Sequence, residues 1–529
     1  MMRIKNILPA VAAIILTIAA CKKKDLIEEA PRIFRPVLAG SLSADSNTIV
    51  AAWQKISGAA SYEFQISRDT FRTIDASLQL DSNAAVIKGL KYNQLYQMQV
   101  KAIASDTARN SKWSYLGAVK TESSILKVPT ESDVTDEAVR VSWTTKGAPV
   151  SSVKILKASD SSLVTGVDLT AADRADEYKI IGGLLPSVNY IILLYSEADL
   201  RGDAAFTTKT QETGIIIDLR SITGRPSVLA DTIPFIPSGS IVYLKRGETY
   251  TISSAVLLDK SITIKSGDDL SSTDRGMIYF TSNFNFAANS VIDSIVFNDI
   301  YLKSDNYSSR YVFNTDNSAT VGTLRFENCT AEIFRGLVRL KAGNTTVSNF
   351  KINNCIIDSV KDYGVFNVDN VTCKAENISI TNSTIYKAQR VLVSKQNSTS
   401  LLIENCTFNE APLGVTATNG YSYYINYSTS SSNTVTDGII VNNCLFGTGI
   451  PNGGATDAVR DVNVNSATTV NASNNYRTSD HVSGGNDFAN INTHTKTAAQ
   501  IWKDPTNGNF KIIDASFPGK NNGGDPRWR

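Results

Sequence analysis

Between residue 32 and residue 210 the chain alternates apolar and polar positions in short runs broken by turns. Thr48-Ile49-Val50-Ala51-Ala52-Trp53 is followed by Ser61-Tyr62-Glu63-Phe64-Gln65-Ile66, and then by a longer run from Leu95 to Val100. Val139-Arg140-Val141-Ser142-Trp143 repeats the theme, and a closing run ends at Phe206-Thr207-Thr208. A period of two at this spacing predicts half-buried strands of an all-β sandwich, with Trp53 and Trp143 in the two cores. Past residue 211 a different order sets in. One phrase, apolar–polar–Asn–small–Thr or aliphatic, recurs as Phe326-Glu327-Asn328-Cys329-Thr330, Ile352-Asn353-Asn354-Cys355-Ile356, Ile380-Thr381-Asn382-Ser383-Thr384, Ile403-Glu404-Asn405-Cys406-Thr407 and Val441-Asn442-Asn443-Cys444-Leu445. Phe297-Asn298-Asp299-Ile300 is a degraded first copy. The asparagines are spaced 328−298=30, 354−328=26, 382−354=28, 405−382=23 and 443−405=38.

A fixed period of this length predicts a stack of coils, each too small to bury its own apolar face. Neighbouring strands would lie about 4.8 Å apart, so that asparagine amides bond up and down the stack. The small residues Cys329, Cys355, Ser383, Cys406 and Cys444 then share one file and read as buried free thiols and a hydroxyl rather than disulfide partners. The L-x-x-L-x-L scaffold of leucine-rich repeats, which also carry an asparagine ladder, is missing.

Two resemblances follow from these residues. Gly89-Leu90 with Tyr96, and Gly183-Leu184 with Tyr190, resemble the leucine and corner tyrosine of fibronectin type III domains, placing modules at 32–123 and 124–210. The repeat at 211–478 resembles the pectate-lyase-like superfamily and implies a right-handed parallel β-helix. The tail at 479–529 contains Ile501-Trp502-Lys503-Asp504-Pro505 and Gly524-Asp525-Pro526-Arg527-Trp528. It is similar to the tails of Bacteroidetes polysaccharide-utilisation surface lipoproteins of uncharacterised function, and reads as a C-terminal cap over the open coil end. The expected class is therefore all-β: two sandwiches, then a capped β-helix.

Charge and composition sharpen the location. Arg3 and Lys5 precede the apolar run Ile7–Ile18, whose 12 residues fall short of the roughly 20 a spanning helix needs. Ile18-Ala19-Ala20-Cys21 resembles a lipobox, which implies a signal peptide at 1–20, lipidation of Cys21 and a polar tether at 21–31. The implied location is the outer membrane, lipid-anchored and facing either outward, at the cell surface, or into the periplasm. With 52 Lys+Arg against 50 Asp+Glu there is no bulk drive toward nucleic acid.

The chemistry is thinner. G-x-S-x-G, H-E-x-x-H, phosphate-loop and EF-hand patterns are absent, and both histidines, His481 and His494, lie in the tail. The superfamily's lyases cleave uronic-acid polymers by β-elimination with a cationic base and often Ca²⁺. Counting from the ladder asparagines, Arg335 and Lys361 share one offset and Arg390 lies one further. These predict a cationic strip carrying the catalytic base. Glu332 and Asp358 share an offset near Asp362 and are the candidate Ca²⁺ ligands; no cofactor is otherwise implied. Tyr421, Tyr423, Tyr424, Asn426 and Tyr427 read either as a glycan-stacking loop, extended by Tyr301, Tyr307 and Tyr311, or as an edge strand packed on the wall. Three functions remain open: capture of an extracellular polysaccharide for a neighbouring importer complex, a polysaccharide lyase, and a non-catalytic adhesive surface protein.

Overall fold

The computed structural model describes residues 32–415, 423–427, 433–452 and 457–529. The chain divides into two compact units, one ending at Thr210 and the other spanning Gln211–Arg529. Cys21 and Tyr421 fall outside the described residues.

The first unit holds two fibronectin type III-like sandwiches. In the first, Ser43–Asp45, Thr48–Ala52 and Ala84–Ile87 form one sheet, and Ala76–Leu80, Ala59–Ser67, Leu95–Ala104 and Ser114–Lys120 form the other. This split of three strands against four, all antiparallel, is the order of that fold. Trp53 is wholly buried and stacks on Phe64 at 5.6 Å. The corner tyrosine is in place: the Tyr96 hydroxyl accepts the Lys91 backbone N–H at 3.1 Å, and Tyr190 repeats this with Leu185 at 2.9 Å. The second sandwich adds something the alternation does not predict, a short helix at Ala171–Asp176. The Thr170 hydroxyl accepts from the Asp173 N–H, and the Asp173 carboxylate accepts from the Thr170 N–H, a capping box that starts a helix locally.

The second unit is a parallel β-helix with three walls. The first wall has ten parallel strands, from Ile215–Asp218 to Val470–Ser473. The second runs from Thr249–Ile252 to Ile491–Thr493, and the third from Val256–Leu258 to Arg460–Asn463. Two long strands, Thr330–Leu340 and Ile356–Val368, bend from the second wall into the third and join them. Parallel pairing continues past residue 478 through Asn475–Arg477 to Ile491–Thr493. Inward positions lie in register, so that Ile264, Phe297, Phe326, Ile352, Ile380, Ile403 and Val441 form one apolar file. Phe297 and Phe326 stack at 5.3 Å. Full burial of each such side chain stabilises by about 1.5–3 kcal/mol.

Between the first and second walls seven successive coils turn at one residue in the left-handed region: Asp299, Asn328, Asn354, Asn382, Asn405, Asn443 and Asn474, with φ between 49° and 55°. Asparagine tolerates this conformation better than most L-residues. The repeat thus begins at Asp299, one place beyond Asn298, and extends one coil further than the phrase itself. Each turn N–H donates to the next coil, Asn328 to Asn353, Asn354 to Thr381, Asn382 to Glu404 and Asn405 to Asn442. Side-chain amides add Asn354 to Asn328 at 2.6 Å and Asn405 to Asn382 at 3.2 Å. The amide of Asn382 bonds Asn353 instead, while the Asn354 side-chain oxygen is taken by Arg527. Cys329, Cys355, Cys406 and Cys444 are free and buried, as the repeat implies, and Cys373, outside the repeated phrase, is free and buried too.

The tail forms the expected strand and turn, with Trp502–Asp504 pairing Asn509–Ile512. Its first part does close the coil end, with Phe488 packed on Phe446 in the core, but the hairpin lies elsewhere. Trp502, Phe510 and Phe517 cluster with Tyr386 and Leu445, against partly buried Ile356, Tyr476 and Trp528, so the tail lies along the flank of the second wall. The outward row there is Ile356, Thr384, Thr407, Leu445 and Tyr476, and so apolar or small a surface is stabilised by a cover.

Replacing Asn405 tests the turn. Asn405→Ala is expected to destabilise the second unit by about 1–3 kcal/mol, because a Cβ without a polar partner is held at φ 54° and an amide bond is lost. Asn405→Gly relieves only the backbone part, so its denaturation midpoint should fall between those of Asn405→Ala and the unaltered protein.

Candidate functional site

Where the second wall bends into the third, successive coils turn at Ile333, Ser359, Lys387 and Glu410, again with positive φ. After this bend the coils lose their common count. Glu332 pairs Asp358 before it and Gly336 pairs Gly364 after it, so 336−332=4 residues in one coil face 364−358=6 in the next. The two extra residues form a bulge, and bulges re-aim side chains.

The bulge separates the predicted cations. Arg335 stands beside the Asp362–Tyr363 pair, Lys361 is carried outward to donate to the Ser308 hydroxyl at 2.8 Å, and Arg390 packs its Cβ against Gly364. Arg335 and Arg390 both act on the Asp362 carboxylate, while Lys361 turns to Ser308. Arg335 makes a fork-on-fork pair with Asp362, both bonds 2.9 Å, which raises the guanidinium pKa further. Burial pushes the Asp362 carboxyl up, but Arg335 outweighs it and the net shift is downward. A base for proton abstraction needs the reverse tuning.

The predicted metal ligands are likewise engaged by protein donors. Glu332 and Asp358 are register neighbours, as their shared offset implies. Glu332 accepts from the Tyr301 hydroxyl and pairs with Lys303 at 2.5 Å, while Asp358 accepts from Ser359 at 2.8 Å. Among the described residues no cluster of His, Cys, Asp or Glu is arranged to hold a metal ion.

The tyrosine segment is a wall strand and not an outer loop. Tyr423–Asn426 pairs in parallel between Leu392–Ser394 and Arg460–Asn463, so its alternate side chains turn inward. Tyr424 is buried against Phe408 and Phe446, and Tyr427 is buried too. Asn426 accepts from Asn463 at 2.9 Å in a short amide file. Tyr423 belongs to the outward row, with Arg460 over its ring at 5.4 Å. Tyr424, Asn426 and Tyr427 are thus withdrawn from any sugar by the packing that makes them a strand.

What the bend does assemble is an aromatic and ionic patch that counting offsets does not reveal. Tyr311, Gly336 and Gly364 form one outward row. A Cβ on Gly336 would lie 2.8 Å from the Tyr363 Cβ and 3.1 Å from the Tyr311 ring, so glycine lets both tyrosines lie over the backbone. Tyr311 and Tyr363 meet edge to face at 5.7 Å. Arg339 stands 3.8 Å and Arg335 4.6 Å from the Tyr363 ring centre. Arg339 also pairs with Asp369, which Lys395 meets at 2.7 Å; burial pushes the Asp369 carboxyl up, and these two cations bring it below its ordinary value. Tyr307 extends the patch under Lys361. Three polar atoms here have no hydrogen-bond partner among the described residues: the Tyr311 hydroxyl and the side-chain oxygens of Asn314 and Asn367.

Further along the second wall an open cleft of about 580 Å³ is floored by Thr249, Met277, Tyr301 and Thr330. Burial and the Glu332 carboxylate push the Tyr301 phenol up to about 12.

Comparison with known proteins gives two family matches, both in the second unit. Residues 248–388 match a family described as domain of unknown function DUF4957, and residues 401–528 match domain of unknown function DUF5123. No curated protein matches. Among solved structures, the chain is similar to the FN1–FN3 domains of chicken CNTN1, at 16% identity over 35% of this chain and 70% of that one, TM-score 0.17. A two-domain fibronectin type III segment of chicken tenascin gives 18% over 34% and 100%, TM-score 0.17. The fn3 domain of human collagen alpha-1(XX) gives 17% over 19% and 95%, TM-score 0.16.

Two strongly perturbed ionisable groups, Asp461 and His481, lie away from both surfaces. Asp461 is fully buried, 2.5 Å from Arg477 and 2.6 Å from the Phe488 N–H; burial pushes its pKa up to about 6 against the pull of Arg477. Arg477 reaches Asp487 at 2.7 Å. His481 bonds the Gly447 carbonyl at 2.7 Å, and burial, with Arg477 nearby, lowers it to about 4. The unfolded chain therefore binds more protons at His481 between about pH 4 and 6.5, and stability from this group is lost as pH falls through that window. Asp461, with its raised pKa, works in the opposite sense. His481→Gln is expected to remove a loss on the order of 1–3 kcal/mol between pH 7 and pH 4, read as a flatter acid limb in denaturation midpoints.

Proposed function

We propose that this chain is a lipid-anchored outer-membrane protein whose β-helix binds an extracellular polysaccharide without cleaving it. The observation that carries this reading is the patch at the bend. It gathers the partly exposed Tyr363 ring, guanidinium groups 4.6 and 3.8 Å from its centre and carboxylates within one surface, which is how proteins meet the apolar faces and hydroxyl edges of sugars. Arg335 pairs with Asp362, and Arg339 and Lys395 share Asp369, so three cations meet two carboxylates and the surface suits hydroxyl-rich as well as mildly acidic glycans. The lyase reading is weaker because Arg335 is held protonated by Asp362 and the carboxylates near it are taken by protein donors. The anchor rests on the Ile18–Cys21 sequence, and the two sandwiches, which precede the solenoid in the chain, serve as spacers. Delivery to a neighbouring importer complex fits this placement.

Electrophoresis of the mature chain through gels loaded with neutral and acidic polysaccharides tests the proposal. Retardation by at least one polysaccharide is expected, without release of unsaturated sugars, and Tyr363→Ala should weaken it about tenfold, a loss of about 1.4 kcal/mol. Free migration in every gel would overturn the reading. Unsaturated product that disappears in Lys361→Ala would replace it with the lyase.

A further inference from the structure

The cleft on the second wall is separate from the patch at the bend, and its floor is regular. Thr249, Met277, Tyr301 and Thr330 pair in register on four successive coils. At about 4.8 Å per strand such a row spans roughly 14 Å, the length of about two or three sugar rings. Its side is built from Arg275 and Asp299. Asp299 accepts from Arg275 Nε at 2.8 Å through one oxygen and from Arg246 through the other, and Arg275 Nη1 donates to the Thr330 hydroxyl at 2.7 Å. Asp274 also lines the cleft, so two guanidiniums stand with two carboxylates, and a ligand carboxylate would have to break an existing pair to be received. The Tyr301 ring is held in place by the bond from its hydroxyl to Glu332.

The row does not end at Thr330, but access to it does. Its next members, Ile356, Thr384 and Thr407, lie beneath the tail. Arg527 donates to the Asn354 carbonyl at 2.7 Å, and Trp528 Nε1 donates to the Thr384 hydroxyl at 2.7 Å. The Asp525 carboxylate, nearly fully buried, accepts from the same hydroxyl at 2.8 Å. A ligand lying along the floor meets the tail about one strand beyond Thr330.

We propose that this cleft is a second carbohydrate site, one that takes the end of a neutral glycan chain and is closed by the C-terminal tail. The inference rests on the polysaccharide-binding reading and deepens it: the patch at the bend holds the interior of a chain, and the cleft reads a terminus.

Calorimetric titration of the full mature chain with neutral gluco-, manno-, galacto- and xylo-oligosaccharides of increasing length, beside oligogalacturonates, tests it. For one neutral series, affinity should rise until the cleft is filled, at about three rings for this strand spacing, and then level off. Added salt should change it little, since no net charge is paired. Arg275→Ala and Tyr301→Ala should each weaken binding at least about tenfold, and Tyr363→Ala should not. Thr249→Trp fills the cleft from an exposed position with every hydrogen bond above intact, and should abolish binding in a protein that melts normally. Affinity that keeps rising with length, a salt-sensitive preference for oligogalacturonates, or binding lost in Tyr363→Ala but kept in Tyr301→Ala and Thr249→Trp would each overturn the terminal site and leave the patch standing. Absence of binding to every oligosaccharide and every polysaccharide gel would overturn both readings together.

Discussion

A backbone conformation that most side chains avoid sets the register of the second unit. At the corner between the first and second walls seven successive coils reverse through one left-handed residue each, and all seven place Asn or Asp there. The asparagine amide then bonds its neighbour in the stack, so the residue that tolerates the turn also ties it to the next. Because the turn N–H groups from Asp299 to Asn443 find acceptors one coil away, those coils cannot slip relative to one another without leaving them unsatisfied, at a cost of about 1–3 kcal/mol each. Inward phenylalanines and outward polar rows alike take their alignment from this corner.

The second corner works differently. Its left-handed positions are Ile333, Ser359, Lys387 and Glu410, with no amide file, and the coils around it differ in length. A β-branched residue at φ 65° is unfavourable in isolation, so the surrounding walls must hold it. Variation is tolerated at this corner because the first corner already fixes the register. That freedom lets Arg335, Arg339, Tyr311 and Tyr363 gather over two glycines, and the same division of labour recurs in many scaffolds: a rigid repeat, with chemistry at its irregularities.

Much of the architecture was legible in the sequence. Corner tyrosines, core tryptophans and the recurrent asparagine phrase each reflect a local requirement that a short stretch of residues satisfies alone. The cysteine file was legible for the same reason, since only small side chains fit beside the turn. The surface residues were not. Offsets counted from Asn328 and Asn354 place Arg335 and Lys361 in one row, but the two-residue bulge before Gly364 breaks that count, and a bulge leaves no mark when strands are read singly. The run Tyr423-Tyr424-Ile425-Asn426-Tyr427 suits a strand as well as a loop, and only the pairing partners show which side chains turn inward. Gly336 and Gly364 were the overlooked signal: two glycines within otherwise apolar β-runs mark a close approach by other groups. The tail was recognisable as a hairpin, but its resting place depends on the apolar outward row from Ile356 to Tyr476, which becomes visible only once the coils are aligned.

Amide hydrogen exchange followed by mass spectrometry on the unaltered protein tests the asparagine corner most directly. Peptides spanning the turns at Asn328, Asn354, Asn382 and Asn405 should be protected as strongly as the strands on either side, because their N–H groups are bonded between coils. Exchange at those turns as fast as in an ordinary exposed loop would contradict the shared register, and with it the alignment of both proposed surfaces.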